Sequence, residues 1–199
     1  ETTLGQRSPS TLTYLNGDIG AAGDADNCFN VVVADNTAAD TLIDGFFVIN
    51  GYNNDGGVSG GDGGGVRLQN GSAMFRNCNF TANYATNYGA GVYSSQGSPT
   101  FVDCLFYNNE SFRGSALYHE GAGVVRMYNC DVMSNTTFQG TVFIENTDGV
   151  IANSFIHGNY AGNTGGGVEI RGGSSQVTMS QCTVVGNTCG GVGGGAYAG

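Results

Sequence analysis

The sequence has no lysine, only 2 prolines in 199 residues, and charged side chains at just 11%. Its cations are Arg7, Arg67, Arg76, Arg113, Arg126 and Arg171, set against 16 carboxylates for a net charge of -10. Nucleic acid and anionic lipid are bound by clustered cations that release counterions, and six scattered arginines do not supply such a cluster. Both partners are excluded. No run of about 18 apolar residues occurs, so membrane insertion through a helix is not expected. Glycine reaches 36 of 199 without a Gly-X-Y triplet or accompanying proline, which excludes collagen and Pro-rich disorder. A hydrophobic content of 40% is too high for an acidic disordered tail and enough to build a core. No signal peptide is visible either. A chain that opens at "ETTLGQRSPS" and closes at "GGGAYAG" reads as a mature or trimmed piece of a secreted protein.

What the sequence does have is a repeat. Aligning on a recurring Asn gives Asn50, Asn83, Asn109, Asn135, Asn159 and Asn187, at intervals of 33, 26, 26, 24 and 28 residues. Three residues earlier stands a large apolar side chain: Phe47, Phe80, Phe106, Val132, Ile156 or Val184. Five earlier comes a small one, Gly45, Cys78, Cys104, Cys130, Ser154 or Cys182, preceded by a polar column of Asp44, Asn77, Asp103, Asn129, Asn153 and Gln181. A second apolar column holds Phe75, Phe101, Met127, Ile151 and Met179. Gly-rich signatures such as "GAGV" (89 to 92) and "GGGV" (165 to 168) open the next segment.

Each unit thus offers three short apolar pieces divided by Gly and Asn corners, too short for helices and without 3.6-residue spacing. The polar column marks a left-handed corner, which Asn and Asp tolerate better than other non-glycine residues. A chain that returns to the same corners about every 26 residues is a coil whose rungs stack in parallel about 4.8 Å apart. The expected fold is all-β, a parallel β-helix of about seven to eight coils, roughly 26 residues each. It forms a single domain over 1–199, with 1–44 as lead-in coils and 45–199 as regular repeats. Stacked Asn50, Asn83, Asn109, Asn135, Asn159 and Asn187 are expected to hydrogen-bond from rung to rung.

The units "FTAN", "FYNN" and "VMSN", followed by "GAGV", "GSAL" and "GGGV", resemble the FxxN and GGA[ILV] repeats of chlamydial polymorphic outer-membrane proteins. More widely, the lead-in over 15–53 and the repeats after it resemble secreted bacterial right-handed parallel β-helix repeat proteins. That resemblance implies an extracellular or cell-surface β-helix of the kind found in adhesins, and it implies no particular ligand. The chain departs from the family in being short and in carrying neither a membrane-barrel nor a sorting domain.

Candidate sites follow from residue type. Cys78, Cys104, Cys130 and Cys182 share one inward column, where parallel neighbours make poor disulfide partners, so they read as small core residues. A bridge from Cys182 to Cys189 is the alternative. Asp18, Asp24 and Asp26 lie in a Gly-Ala loop whose oxygens could hold Ca²⁺, the one cofactor the sequence suggests, or could serve a plain turn. Sequons place possible glycosylation at Asn70, Asn79, Asn109 and Asn135. Leu105, Tyr107, Met133, Phe155 and Val185 flank the Phe column outward and suggest an interface, joined by Tyr93, Tyr118 and Tyr197 as exposed tyrosines.

Enzyme chemistry is the rival class. A lyase needs a basic side chain beside bound Ca²⁺ and a hydrolase needs two poised carboxylates, whereas Asp103, Asp131, Glu145 and Glu169 come one per rung and His119 and His157 are solitary. The sequence is therefore read as a non-enzymatic extracellular structural protein, either fibre-forming by head-to-tail stacking through "ETTLGQRSPSTLTYL" or adhesin-like, with a cell-surface or polysaccharide ligand. The alternative is a carbohydrate-binding or polysaccharide-degrading β-helix, favoured by a groove with two carboxylates within about 10 Å.

Overall fold

The computed structural model describes residues 12–20, 26–55 and 60–199. Every strand pairing within them is parallel, and each strand joins its equivalent one turn away. Val92 pairs with Val66 above and Leu117 below, Phe106 with Phe80 and Val132, and Ser111 with Ala85 and Thr137. The chain is a parallel β-helix.

A regular turn visits four faces. Val92–Gly97 lies on face B, Thr100–Val102 on face C, Leu105–Tyr107 on face A and Glu110–Arg113 on face D. Faces B and C belong to one 12-stranded sheet, because the strand Leu117–Tyr128 runs unbroken through both. The sheets thus number three, as three pieces per coil imply, but the largest is bent in the other turns and those turns carry four strand segments. Face D is the one the sequence conceals. Its inward residues Asn53, Ala85, Ser111, Thr137 and Ala161 are small or polar and make no apolar column.

The count of turns is lower than expected. The inward position of face B recurs at Val32, Val66, Val92, Leu117, Val142, Val168 and Ala196. One turn of 34 residues therefore precedes five regular turns of 25 to 28 residues. Dividing the length by the period overlooks this long first turn and the residues before it.

The corners form as their residue types require. Asn77, Asp103, Asn129, Asn153 and Gln181 adopt φ of 51° to 54°, the left-handed region that reverses strand direction between faces C and A. Inside, Phe75 stacks on Phe101 at 5.4 Å and Phe80 on Phe106 at 4.8 Å, and the two stacks meet edge to face at 5.7 Å. All four rings are fully buried. Burying each contributes about 2 to 3 kcal/mol relative to exposure, before the gain from ring geometry.

The first rung is out of phase with the sequence alignment by one residue. Val48, not Phe47, pairs with Phe80 and points inward, so Gly51 occupies the place of Asn83. Asn50 instead aligns with Ala82 and takes the left-handed corner at φ 58°, with its side-chain amide donating to Asn16. Likewise Gly45 belongs with the polar corner column and Phe46 stands where the later rungs carry Cys.

Candidate functional site

The side chains singled out from the sequence fall into three groups. The first is the Asn ladder, which runs from Asn83 through Asn109, Asn135 and Asn159 to Asn187. Each Asn donates its backbone N–H and its side-chain amide to the Oδ1 of the next, at 2.8 to 3.1 Å. The same amide also donates to a carbonyl of the preceding rung, as from Asn109 to Phe80 at 2.8 Å. Gly51 caps the ladder by donating its N–H to Asn83 at 3.0 Å. Asn109 and Asn135 are 1% exposed, so neither sequon can carry a glycan in the folded protein. Asn70 is exposed and Asn79 is half-buried.

The thiols stack beside this ladder. All six cysteines are free, and no bridge joins Cys182 to Cys189. Cys78, Cys104 and Cys130 donate to backbone carbonyls at 3.2 to 3.6 Å, and Ser154 fills the same place in the next rung. Hydrogen bonding between neighbouring thiols, with burial, pushes the Cys78 and Cys104 thiols well above the usual range. Among the described residues no group of three or more His, Cys, Asp or Glu side chains is arranged to hold a metal. Asp24 lies outside the described residues. The backbone N–H of Asp18 donates to Asn16 in a local turn, and Asp26 lies against Gly20.

The second group is on the outside of faces A and D. On face A, one outward row runs Leu105, Asp131, Phe155, Thr183 and the neighbouring row runs Tyr107, Met133, His157, Val185. The suggested interface residues thus share one face. His157 stacks on Phe155 at 3.9 Å and holds Asp131 at 3.0 Å. Face D, around the next corner, carries Phe112 and Phe138 stacked at 5.1 Å, each 44% exposed, and an exposed Tyr160. Two shallow cavities of about 290 and 250 Å³ lie on this face, both lined by Tyr84, Glu110 and Thr136.

The third group corrects the reading of Tyr93 and Tyr118 as exposed. Both point outward from face B yet are buried, because Tyr88 and Phe143 pack with them and Arg113 lies over the Tyr88 and Phe143 rings at 5.6 to 5.7 Å. Tyr118 Oη donates to Glu145 Oε2 at 2.5 Å and lies 3.2 Å from Glu120 Oε2, while Tyr93 Oη donates to Glu120 Oε1 at 2.9 Å. Two carboxylates therefore meet at a single phenol. Burial, and then the Glu145 hydrogen bond, push the Tyr118 phenol far up; burial and the Glu120 charge do the same to Tyr93. Asp62, on the same side, is raised to about 7, chiefly by burial and further by the charge of Glu120. Glu169 points outward from face B as expected, in the row of Tyr118 and Phe143, but it is fully buried there, accepting from Thr164 at 2.8 Å and from Arg171 at 2.6 Å. Glu120 pairs in register with Ser95 and with Glu145, and the bulge that follows it leaves both pairings unshifted.

His119 is the remaining titratable group inside the solenoid. It points inward from face B between Ser94, 3.0 Å from Nδ1, and Thr147, 3.4 Å from Nε2. Burial lowers its pKa to about 4.

Among the described residues no helix is long and apolar enough to cross a membrane. No curated protein and no solved structure matches the chain. A family model described as "Right handed beta helix region" matches residues 55–197, which include all five regular turns. With that match and with parallel rungs stacked through four faces, the chain belongs to the right-handed β-helix family.

Proposed function

We propose that this β-helix is a non-catalytic structural or adhesive protein that works outside the cell or on its surface. The observation that carries the reading is the exposed aromatic and aliphatic surface spread over two adjacent faces: Tyr107, Phe155 and Val185 on face A with Phe112, Phe138 and Tyr160 on face D. Exposed apolar side chains gathered on one side of a rigid scaffold mark a contact surface. The Asn ladder and stacked Phe core hold that surface flat and fixed, which suits adhesion, and a low charge suits a durable extracellular fibre. Adhesion is tested by retention of the purified chain on cell-wall and polysaccharide-coated surfaces, with Phe112→Ser/Phe138→Ser as the variant that removes the stack.

Copies would associate end to end. The inward residues Val177, Met179 and Val184 of the last turn are only partly buried, whereas Ile151 and Ile156 one turn earlier are fully buried. An open strand edge over a part-covered core is a template for another rung. A head-to-tail contact that does not close gives a filament. Electron microscopy of the 199-residue chain at neutral pH tests this: filaments one solenoid wide support stacking, and separate short particles at every concentration count against it.

A second reading rests on Glu120 and Glu145, which share the Tyr118 phenol, with the raised Asp62 on the same side. Two carboxylates set close together are what glycoside hydrolysis uses. Release of reducing ends from polysaccharides by the wild type, abolished in Glu120→Gln and Glu145→Gln, would favour it over the adhesive reading.

A further inference from the structure

The adhesive reading leaves the ligand open, and face D narrows it. One outward row of that face reads Tyr52, Tyr84, Glu110, Thr136 and Tyr160 from rung to rung. Tyr52 and Tyr84 stack at 4.7 Å with an interplanar angle of 21°. The stack then stops, because the next two rungs carry Glu110 and Thr136 in place of aromatic rings. With one face against Tyr52, the Tyr84 ring turns its other face to the Glu110 rung, and both cavities of face D lie there. The row beside it supplies Phe112 and Phe138 as an apolar flank to the larger cavity, and Asn108 lines the smaller one at the corner with face A. From Tyr84 to Tyr160 is three rungs, about 14 Å at ordinary strand spacing.

The interrupted row is thus a slot with an aromatic wall, an apolar flank, a hydroxyl and an amide. Its electrostatics are one-sided. Glu110 is the only charged side chain among the residues that line either cavity. The cation on the same strand, Arg113, lines neither cavity: it donates to Gln139 at 2.7 Å and lies over Tyr88, Phe143 and the Phe112 ring. An anionic sugar would meet a carboxylate with no compensating charge, in a protein whose net charge is -10. A sugar with an ammonium group would pair with Glu110 while its apolar ring face lies on Tyr84.

We propose that the gap in the face D aromatic row, centred on Tyr84, Glu110 and Thr136, is a binding site for amino-sugar units of a polysaccharide. The proposal rests on the adhesive reading and names the ligand class for it. Glu110 selects the ammonium and Tyr84 stacks the ring. Cavities of about 290 and 250 Å³ suit single sugar units of a longer chain rather than a large ligand.

The test is calorimetric titration of the 199-residue chain with three probes: a β-linked glucosamine tetramer, its fully N-acetylated counterpart and a galacturonate tetramer. The glucosamine tetramer is expected to bind, the acetylated one about tenfold more weakly, and the galacturonate tetramer not at all. Glu110→Gln, which keeps shape and removes charge, is expected to lower glucosamine affinity about tenfold and abolish the preference over the acetylated probe. Tyr84→Ala is expected to weaken both amino sugars, with unchanged far-ultraviolet circular dichroism as the control for folding. Equal affinity for the charged and acetylated probes, or an unaltered Glu110→Gln, overturns the proposal. Surface retention of the same samples separates the two levels: retention that ignores Glu110→Gln removes this site and leaves the adhesive reading, whereas no retention on any surface removes both.

Discussion

The Oδ1 of Asn109 accepts two hydrogen bonds from Asn83, one from its backbone N–H at 3.1 Å and one from its side-chain amide at 3.0 Å. The Nδ2 of Asn109 in turn donates to Phe80 and to Asn135. One buried carboxamide thus links three rungs, at a corner where the Asn carbonyls accept from the next rung but the Asn N–H groups have no backbone acceptor. Only Asn combines an acceptor and a two-proton donor at this reach.

Replacing Asn109 therefore leaves buried donors and a buried carbonyl of the rung above it unpaired, and removes a donor from Asn135 of the rung below. Asn109→Ala is expected to destabilise the protein by about 3 kcal/mol, from several unmet hydrogen bonds at about 1 kcal/mol or more each. Asn109→Asp is expected to do at least as much harm, because a carboxylate keeps the acceptor, loses both donors and is buried without a partner cation. Urea denaturation of the three proteins checks this, and an Asn109→Asp as stable as wild type would contradict it. Asn50→Ala, on the exposed corner, is expected to cost far less.

The thiol column makes a chemical prediction. Cys78, Cys104 and Cys130 are buried, engaged with carbonyls, and the first two are pushed far from ionisation at neutral pH. Only thiolates react at useful rates. Iodoacetamide at pH 8 should label Cys28, Cys182 and Cys189, which are partly accessible, and should reach the three column thiols only after denaturation. Peptide mapping of the labelled protein gives the answer site by site.

Two groups make stability depend on pH with opposite signs. The pKa of His119 falls from 6.5 to about 4 on folding, so the unfolded chain takes up a proton first. The contribution is present above pH 6.5 and is lost as pH falls toward 4, on the order of 3 kcal/mol in full. Asp62 runs the other way. Its carboxyl rises from 3.8 to about 7, so the folded protein holds the proton more tightly and stability falls as pH rises through that window. His119→Leu, which matches Leu68 and Ile144 in the same inward row, should flatten the acid limb of a melting-temperature profile. Asp62→Asn should raise stability at pH 7 and change nothing below pH 4. An acid limb unaltered in His119→Leu would contradict the first assignment.

Much of the coil was legible because stacking demands like residues on like positions. Phe75, Phe80, Phe101 and Phe106 announce faces C and A, and the polar corner from Asn77 to Gln181 marks the turn between them. Face D was not legible as strands because its core side is Ala85, Ser111, Thr137 and Ala161. Asn50 stands outside the ladder because the inward alternation of its rung is set by Val48, which pairs with Phe80 and puts Gly51 in the ladder position. The burial of Tyr93 and Tyr118 escaped detection for a related reason. Outward residues are covered when the end of face D folds over them, and a period read from sequence carries no information about that cover. Glu120 and Glu145 are direct partners on neighbouring rungs and both reach the Tyr118 phenol, a like-charge contact that leaves no apolar or Asn column in the sequence.

The most direct test of the central claim is quantitative retention of the wild type and of Phe112→Ser/Phe138→Ser on immobilised cell-wall polysaccharide, with matched circular dichroism spectra. The structural and adhesive account predicts that the wild type is retained and that the double variant, with its fold intact, loses most of that retention. Equal retention of both proteins, or none by either, would contradict it.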